Sequence, residues 1–226
     1  MNDSFHLEQF PTVIVFDVET SGFDSRRERV IEFGAVKQTS GRGEMTEETD
    51  FFVRLPEGKR LSYRITQLTG ITERQLSEEG ISEAQAAERI SGLISEANTL
   101  LVAYNAQFDL GFLYWLLQRN GLASCLKNVK LLDALTVYRD RRPYPHKLSD
   151  AIASYRLRGS NSHRALDDAK ATLELLARMR EERDDLERYI NLFGYHPTYG
   201  VSGQRISSVT YRPQGFDANR KLYEWR

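Results

Sequence analysis

A mixed α/β domain, one sheet layered by helices, follows from three features of the chain. An almost continuous apolar run over residues 12–19 marks a strand buried on both faces. Two more strand-like runs come next with no helical pattern between them, so the first three strands form an antiparallel meander. Beyond Gly58, apolar strands alternate with segments of helical periodicity, the arrangement of a layered sheet.

The elements can be justified in order. Thr20-Ser21-Gly22-Phe23-Asp24 breaks the first strand, and Val30 to Lys37 forms the second. Ser40-Gly41-Arg42-Gly43 predicts a hairpin turn that returns the chain as a third strand, Glu48 to Leu55. A short helix from Ser62 to Leu68 ends near Gly70, and a longer one spans Ser82 to Glu96 with Ala86, Ile90, Leu93 and Ile94 inward. Residues 98–104 are another apolar strand, followed by a helix from about Ala106 to Asn120 that stops at Gly121. Val129 to Leu132 is a short strand, and modest helices cover Asp133–Tyr138 and Lys147–Tyr155. The last long helix starts near His163, with Asn161 or Ser162 as its cap, and runs to about Arg188. From Tyr189 the chain is rich in Tyr, Phe, Gly and Arg, holds Pro197 and Pro213, and shows little periodicity.

At 226 residues the chain suits one full-sized domain. With 40% hydrophobic and 28% charged residues it is neither disordered nor fibrous. Its net charge of −1 argues against gripping long duplexes through many phosphates, so a polyanion would be held locally, by metal ions and a short groove. The single Cys125 has no activating neighbour and reads as structural. No stretch approaches the roughly 20 apolar residues of a membrane span. The first residues lack the pattern of a signal peptide, so the expected compartment is the cytoplasm.

Chemistry is carried by acids set among apolar neighbours. A buried, unpaired carboxylate costs several kcal/mol, so such acids meet a cation or change protonation state. Asp17 and Glu19 lie two apart on the first strand and so share a face, about 7 Å apart along the chain. The bland alternative is a strand end reaching solvent. Asp109 sits in the first turn of its helix, where the helix dipole alone would favour it. It also shares a stripe with Phe112, Leu113 and Leu116. In the last helix, at about 100° per residue, Asp168 shares a sector with Ala165, Thr172, Leu175 and Met179. Asp167 falls beside Lys170, Glu174 and Arg178, and reads as a surface acid. Oxygen-only sites suit hard ions such as magnesium or manganese. His163, five residues before Asp168, has a side chain whose ordinary pKa of about 6.5 suits proton abstraction from water.

These segments resemble the DEDDh class of 3′→5′ exonucleases, also called DnaQ-like, a family that includes the proofreading epsilon subunit of bacterial DNA polymerase III. The resemblance rests on Asp17-Val18-Glu19-Thr20-Ser21-Gly22, on Tyr104-Asn105-Ala106-Gln107-Phe108-Asp109, and on His163-Arg164-Ala165-Leu166-Asp167-Asp168-Ala169. It covers roughly residues 12–185, including Leu68-Thr69-Gly70-Ile71-Thr72, similar to the family's segment beside the bound nucleotide. The histidine five before the last aspartate resembles the His subclass.

The resemblance implies a ribonuclease-H-like fold with a five-stranded mixed sheet over residues 1–188, and an irregular, aromatic and basic C-terminal extension at 189–226. It implies two divalent ions, Mg2+ or Mn2+, held by Asp17, Glu19, Asp109 and Asp168, with His163 taking a proton from the attacking water. Thr20 and Asn105 would hold the terminal nucleotide, Phe108 would line its pocket, and Phe23 would be an apolar wedge or an ordinary loop anchor. One departure is Tyr104, where many relatives carry His; it leaves the ligands intact and substrate preference open. The implied activity is 3′→5′ hydrolysis of single-stranded DNA to nucleoside 5′-monophosphates, in proofreading or repair. An exoribonuclease on the same fold and a non-catalytic binding module are the rivals. The extension, with five basic residues against two acidic, either packs over the nuclease domain or engages single-stranded nucleic acid, a DNA polymerase or another protein.

Overall fold

The residues from Thr12 to Thr20 form β1, and the rest of the sheet is built outward from it. The structure is a computed structural model that describes residues 7, 9–40, 45–159 and 162–224. β1 pairs antiparallel with β2 (Val30–Thr39), which pairs antiparallel with β3 (Met45–Phe52). The predicted turn at Gly41-Arg42-Gly43 lies outside the described residues.

Past β3 come α1 (Tyr63–Thr69), α2 (Glu73–Glu78) and α3 (Glu83–Ile94). The parallel half of the sheet follows as β4 (Thr99–Ala103), α4 (Ala106–Arg119) and β5 (Lys130–Asp133). Then come α5 (Ala134–Arg141), α6 (Leu148–Tyr155), α7 (Ala165–Glu182) and two short parallel strands, β6 (Leu192–Tyr195) and β7 (Thr210–Pro213). The main sheet has the order β3-β2-β1-β4-β5, a five-stranded mixed sheet flanked by helices. Among the described residues, no helix is long and apolar enough to cross a membrane.

Because β1 alternates, its two faces build two cores. Ile14, Phe16 and Val18 join Phe33, Leu101, Phe112 and Leu116 under α3 and α4. Val13 and Val15 join Val102, Leu132, Leu175 and Leu176 under α5, α6 and α7. Both faces of β1 are therefore covered, and its site-bearing end is held rigidly.

The helices differ from the sequence reading in three ways. α2 is additional, and its start is a capping box between Thr72 and Gln75. α7 begins at Ala165, not near His163, and Ser162 does not cap it: His163 has a left-handed φ of 53° and Arg164 is extended. The helix also stops at Glu182, six residues before Arg188, because the buried guanidinium of Arg141 binds the Met179 and Arg183 carbonyls and the Asp185 carboxylate. The alternative cap, Asn161, lies outside the described residues.

The chain after α7 packs against both cores. Phe193 and Val209 are buried with the α4 face, and Tyr189, Leu192 and Leu222 with the α7 face. Asp140 organises it, accepting from Tyr189 Oη at 2.6 Å and from the Leu222 N–H at 3.0 Å. Gln214 donates to the Thr136 carbonyl at 2.8 Å, and Gly194 N–H to Thr136 Oγ1 at 2.9 Å. Tyr189 is wholly buried and meets Tyr223 edge-on at 5.0 Å. Tyr189→Ala is therefore expected to destabilise the protein by about 3–5 kcal/mol, the range for truncating a large buried aromatic. Urea unfolding measures this, and a loss below about 1 kcal/mol would mean the segment is not docked.

Candidate active site

Asp17 and Glu19 stand at the end of β1, opposite Gly34 and Glu32 of β2 in the antiparallel register. Residues paired across such strands share a face, so all four positions look toward the start of α7. Gly34 is what lets that helix approach. A Cβ there would lie 2.1 Å from the Leu166 nitrogen, so any side chain would push α7 away.

Glu32 is fully buried, and its carboxylate supplies the cap that the sequence reading assigned to Ser162 or Asn161. It accepts from the Ala165 N–H at 3.0 Å and pairs with Arg164 Nη2 at 2.7 Å. An anion at a helix start is favourable twice, through a free N–H and through the helix dipole. α7 is thereby seated so that Asp168, 5% exposed, enters the acidic cluster while Asp167 stays at the surface, accepting from Ser162 Oγ.

Asp133 does the equivalent work for the second motif. Its buried carboxylate accepts from the Asn105 and Ala106 N–H groups, both at 3.0 Å, and from Leu135 and Thr136 at the start of α5. Asn105 is left-handed (φ 71°), and its exposed side chain makes no cap to the helix. α4 then starts with Asp109 buried beneath the end of β1. Glu32 and Asp133 were both missed in the sequence. Glu32 sits in an apolar strand opposite Glu19, and that pattern was the available signal.

The cluster is electrostatically costly. Burial, then Asp168 and Glu32, holds Asp17 well above the usual carboxylate range. Burial, then Asp17, Asp168 and Glu32, raises Glu19 to about 9, with Arg164 opposing. Asp109 is raised by burial and by Asp17, against hydrogen bonds from its own and the Val18 backbone. Burial raises Asp168 to about 7, against a hydrogen bond from the Ser162 N–H. Ligand atoms of Glu19, His163 and Asp168 all lie within 4.8 Å of one another. Oxygen donors whose charges lack partners fit a hard divalent cation.

The remaining expected contacts are distributed differently. Thr20 Oγ1 donates to the Gly22 carbonyl at 2.7 Å and so shapes the loop after β1. Phe23, on that loop, is 67% exposed, with the Arg64 guanidinium 5.8 Å over its ring. Phe108 is half-buried against Phe112, ring centres 5.0 Å apart. Tyr104 is turned away, its hydroxyl donating to the His146 carbonyl at 2.9 Å.

The RNase_T exonuclease family matches residues 14–176. The chain belongs to the exonuclease family. It is a DnaQ-like member, of the 3′→5′ type. It is 35% identical over 187 residues to a DNA polymerase III PolC-type of Clostridium perfringens, and 36% identical over 180 residues to that of Halalkalibacterium halodurans. Those alignments cover 79% and 78% of this chain but 12% of each polymerase, so the chain spans about an eighth of the relatives' length. E. coli exonuclease I, solved as a zinc-bound complex with single-stranded DNA, shares the fold with a TM-score of 0.71. That match is 23% identical and covers 80% of this chain and 43% of the other. A product-bound structure of exonuclease I superposes with a TM-score of 0.68 at 21% identity, over 78% of this chain and 44% of that one.

For this exonuclease the raised carboxyls set a pH dependence. The native state holds these protons more tightly than the unfolded chain, so this stability is greatest below the ordinary carboxylate range. It is lost as pH rises toward about 7 for Asp168 and about 9 for Glu19. A cation removes the penalty. At a hundredfold excess over Kd it adds about 2.7 kcal/mol, or roughly 5–11 °C in Tm for a chain of this size. Scanning fluorimetry with EDTA, Mg2+ or Mn2+ at one fixed concentration is expected to show a larger gain at high pH than at low. No gain at any pH would remove the cation site.

Proposed function

We propose that this exonuclease hydrolyses single-stranded DNA from a free 3′ end and releases nucleoside 5′-monophosphates, with Asp17, Glu19, Asp109 and Asp168 holding two divalent cations, Mg2+ or Mn2+, and His163 as general base. The observation that carries the reading is the convergence of Glu19, His163 and Asp168 beside the half-buried Asp17 and the buried Asp109.

His163 takes the proton from a water whose oxygen forms the new bond to the terminal phosphorus. The bond from phosphorus to the 3′ oxygen breaks, and that oxygen leaves on the shortened strand and is protonated. Bound cations would supply charge stabilisation at the attacking and leaving oxygens. Asn105, with its exposed side chain, and Phe108 border the place of the terminal nucleotide, and Phe23 lies where it meets the last bases. Thr20 acts through the loop it braces.

DNA is favoured because the curated relatives are DNA polymerases and the exonuclease I structure holds single-stranded DNA. Proofreading or repair in the cytoplasm, beside a polymerase, is the setting that fits.

Asp17→Ala is expected to lower nucleotide release by at least ~10³-fold, comparable to losing a principal electrostatic stabiliser, with no loss of metal-free Tm because a repelling charge is removed. His163→Ala is expected to lose about 10²–10⁴-fold in rate at saturating Mg2+. Gel time courses on matched single-stranded DNA and RNA measure both. Full activity in Asp17→Ala refutes the site, and faster RNA decay reverses the substrate.

A further inference from the structure

From Tyr189 through Phe216 there is no acidic residue, in a chain whose net charge is −1. That stretch reaches the candidate site. The segment between β6 and β7 leaves Tyr195, turns where the Gly200 N–H donates to the His196 carbonyl at 2.9 Å, and comes down on the first turn of α4. Gln107 Nε2 donates to the Gln204 carbonyl at 2.8 Å, and Tyr211 Oη donates to Gln107 Oε1 at 2.5 Å. Gln107 lies between Asn105 and Phe108, so the contact is beside the pocket for the terminal nucleotide. Arg26 Nη2 meets Gln204 Oε1 at 3.5 Å, which joins the same segment to the loop that carries Phe23.

We propose that this segment, through Tyr199 and Arg205 together with Arg26, binds the single strand trailing 5′ of the nucleotide being removed. The proposal rests on the exonuclease reading above. Tyr199 is 84% exposed, its ring backed by His196 at 4.7 Å, which leaves one face open to a base. The Arg205 guanidinium lies 5.0 Å over Tyr211, and that of Arg26 lies 5.6 Å over Trp115. Among the described residues neither guanidinium is ion-paired; of the two acids nearest Arg26 in sequence, Asp24 is engaged by the Arg26 N–H and by Arg27, and Glu28 by Ser21 Oγ and Lys59. Cations of one sign interleaved with exposed aromatic rings suit a flexible polyanion whose bases stack without regard to sequence. A protein partner would call for a desolvated apolar anchor, and the segment offers Ser, Gly and Gln around the exposed rings of His196 and Tyr199.

The test is fluorescence anisotropy with the full chain in Mg2+, using single-stranded DNA protected by a 3′ phosphorothioate at lengths of about four and about fourteen nucleotides. Wild type is expected to bind the longer strand at least about tenfold more tightly, and added salt should reduce that gain. Tyr199→Ala combined with Arg205→Gln should bring the two affinities to within about twofold. Tyr199→Ala alone, which removes only an exposed ring, should lose about half of the logarithmic gain. An undiminished length gain in both variants would overturn the proposal and leave the segment to a protein partner. Absence of the gain in wild type would also overturn it. The catalytic reading is checked separately, by wild-type hydrolysis of the p-nitrophenyl ester of thymidine 5′-monophosphate, too short to reach Tyr199. No turnover there sinks the exonuclease reading, while the anisotropy still decides the surface.

Discussion

Like-charge repulsion among buried carboxylates is the constraint around which this structure is arranged. Asp17, Glu19, Asp109 and Asp168 come from a central strand and two helices on opposite faces of the sheet, and each is pushed toward protonation by burial and by at least one acidic neighbour. No chain would collect such groups to stabilise itself. The fold holds them together because β1 is clamped between two cores and α7 is seated tightly over Gly34. The stored unfavourable energy becomes affinity when a cation binds.

Buried acids here divide into two chemical kinds. Glu32 and Asp133 have their oxygens filled by backbone N–H groups and, for Glu32, by Arg164. They position helix starts, and their oxygens are largely occupied by protein donors. Asp17 and Glu19 owe nothing to hydrogen bonding, and their surroundings raise them almost without opposition. Burial alone does not mark a ligand; what sets the cluster apart is that burial and neighbouring acids outweigh the few protein donors it has. The same logic explains why α7 needs no Ser or Asn cap of its own: Glu32 reaches across from β2 and does that work, and the link ties helix placement to strand register.

Much of this was legible in the chain. Apolar strand-like runs located all five strands of the main sheet, and helical angle separated the inward Asp168 from the surface Asp167. What escaped depended on contacts between distant residues. The end of α7 is set by Arg141, forty residues away and buried only after folding. Glu32 looks like one more strand acid until its partner across the sheet, Glu19, is known. The C-terminal stretch lacks periodicity because single residues, not a stripe, dock it: Tyr189 and Leu222 on Asp140, Gln214 on Thr136. α2 was missed although its Thr72–Gln75 capping box was visible, because six residues are too few for periodicity to register.

An acidic pocket must still attract a polyanion, and a net charge of −1 offers no general pull. The resolution lies in where the basic groups stand. Arg64 leans over Phe23, Arg26 over Trp115 and Arg205 over Tyr211, each guanidinium held against an aromatic face with its edge toward solvent. Stacking fixes a guanidinium without neutralising it, whereas an ion pair would spend its charge on the protein. Inside this rim His163 stands with Glu19 and Asp168, and the raised carboxyls there carry less negative charge than their number suggests. On the proposed function, a strand drawn to such a rim would meet a field that grows favourable only once the centre is loaded, which would couple substrate capture to readiness for hydrolysis.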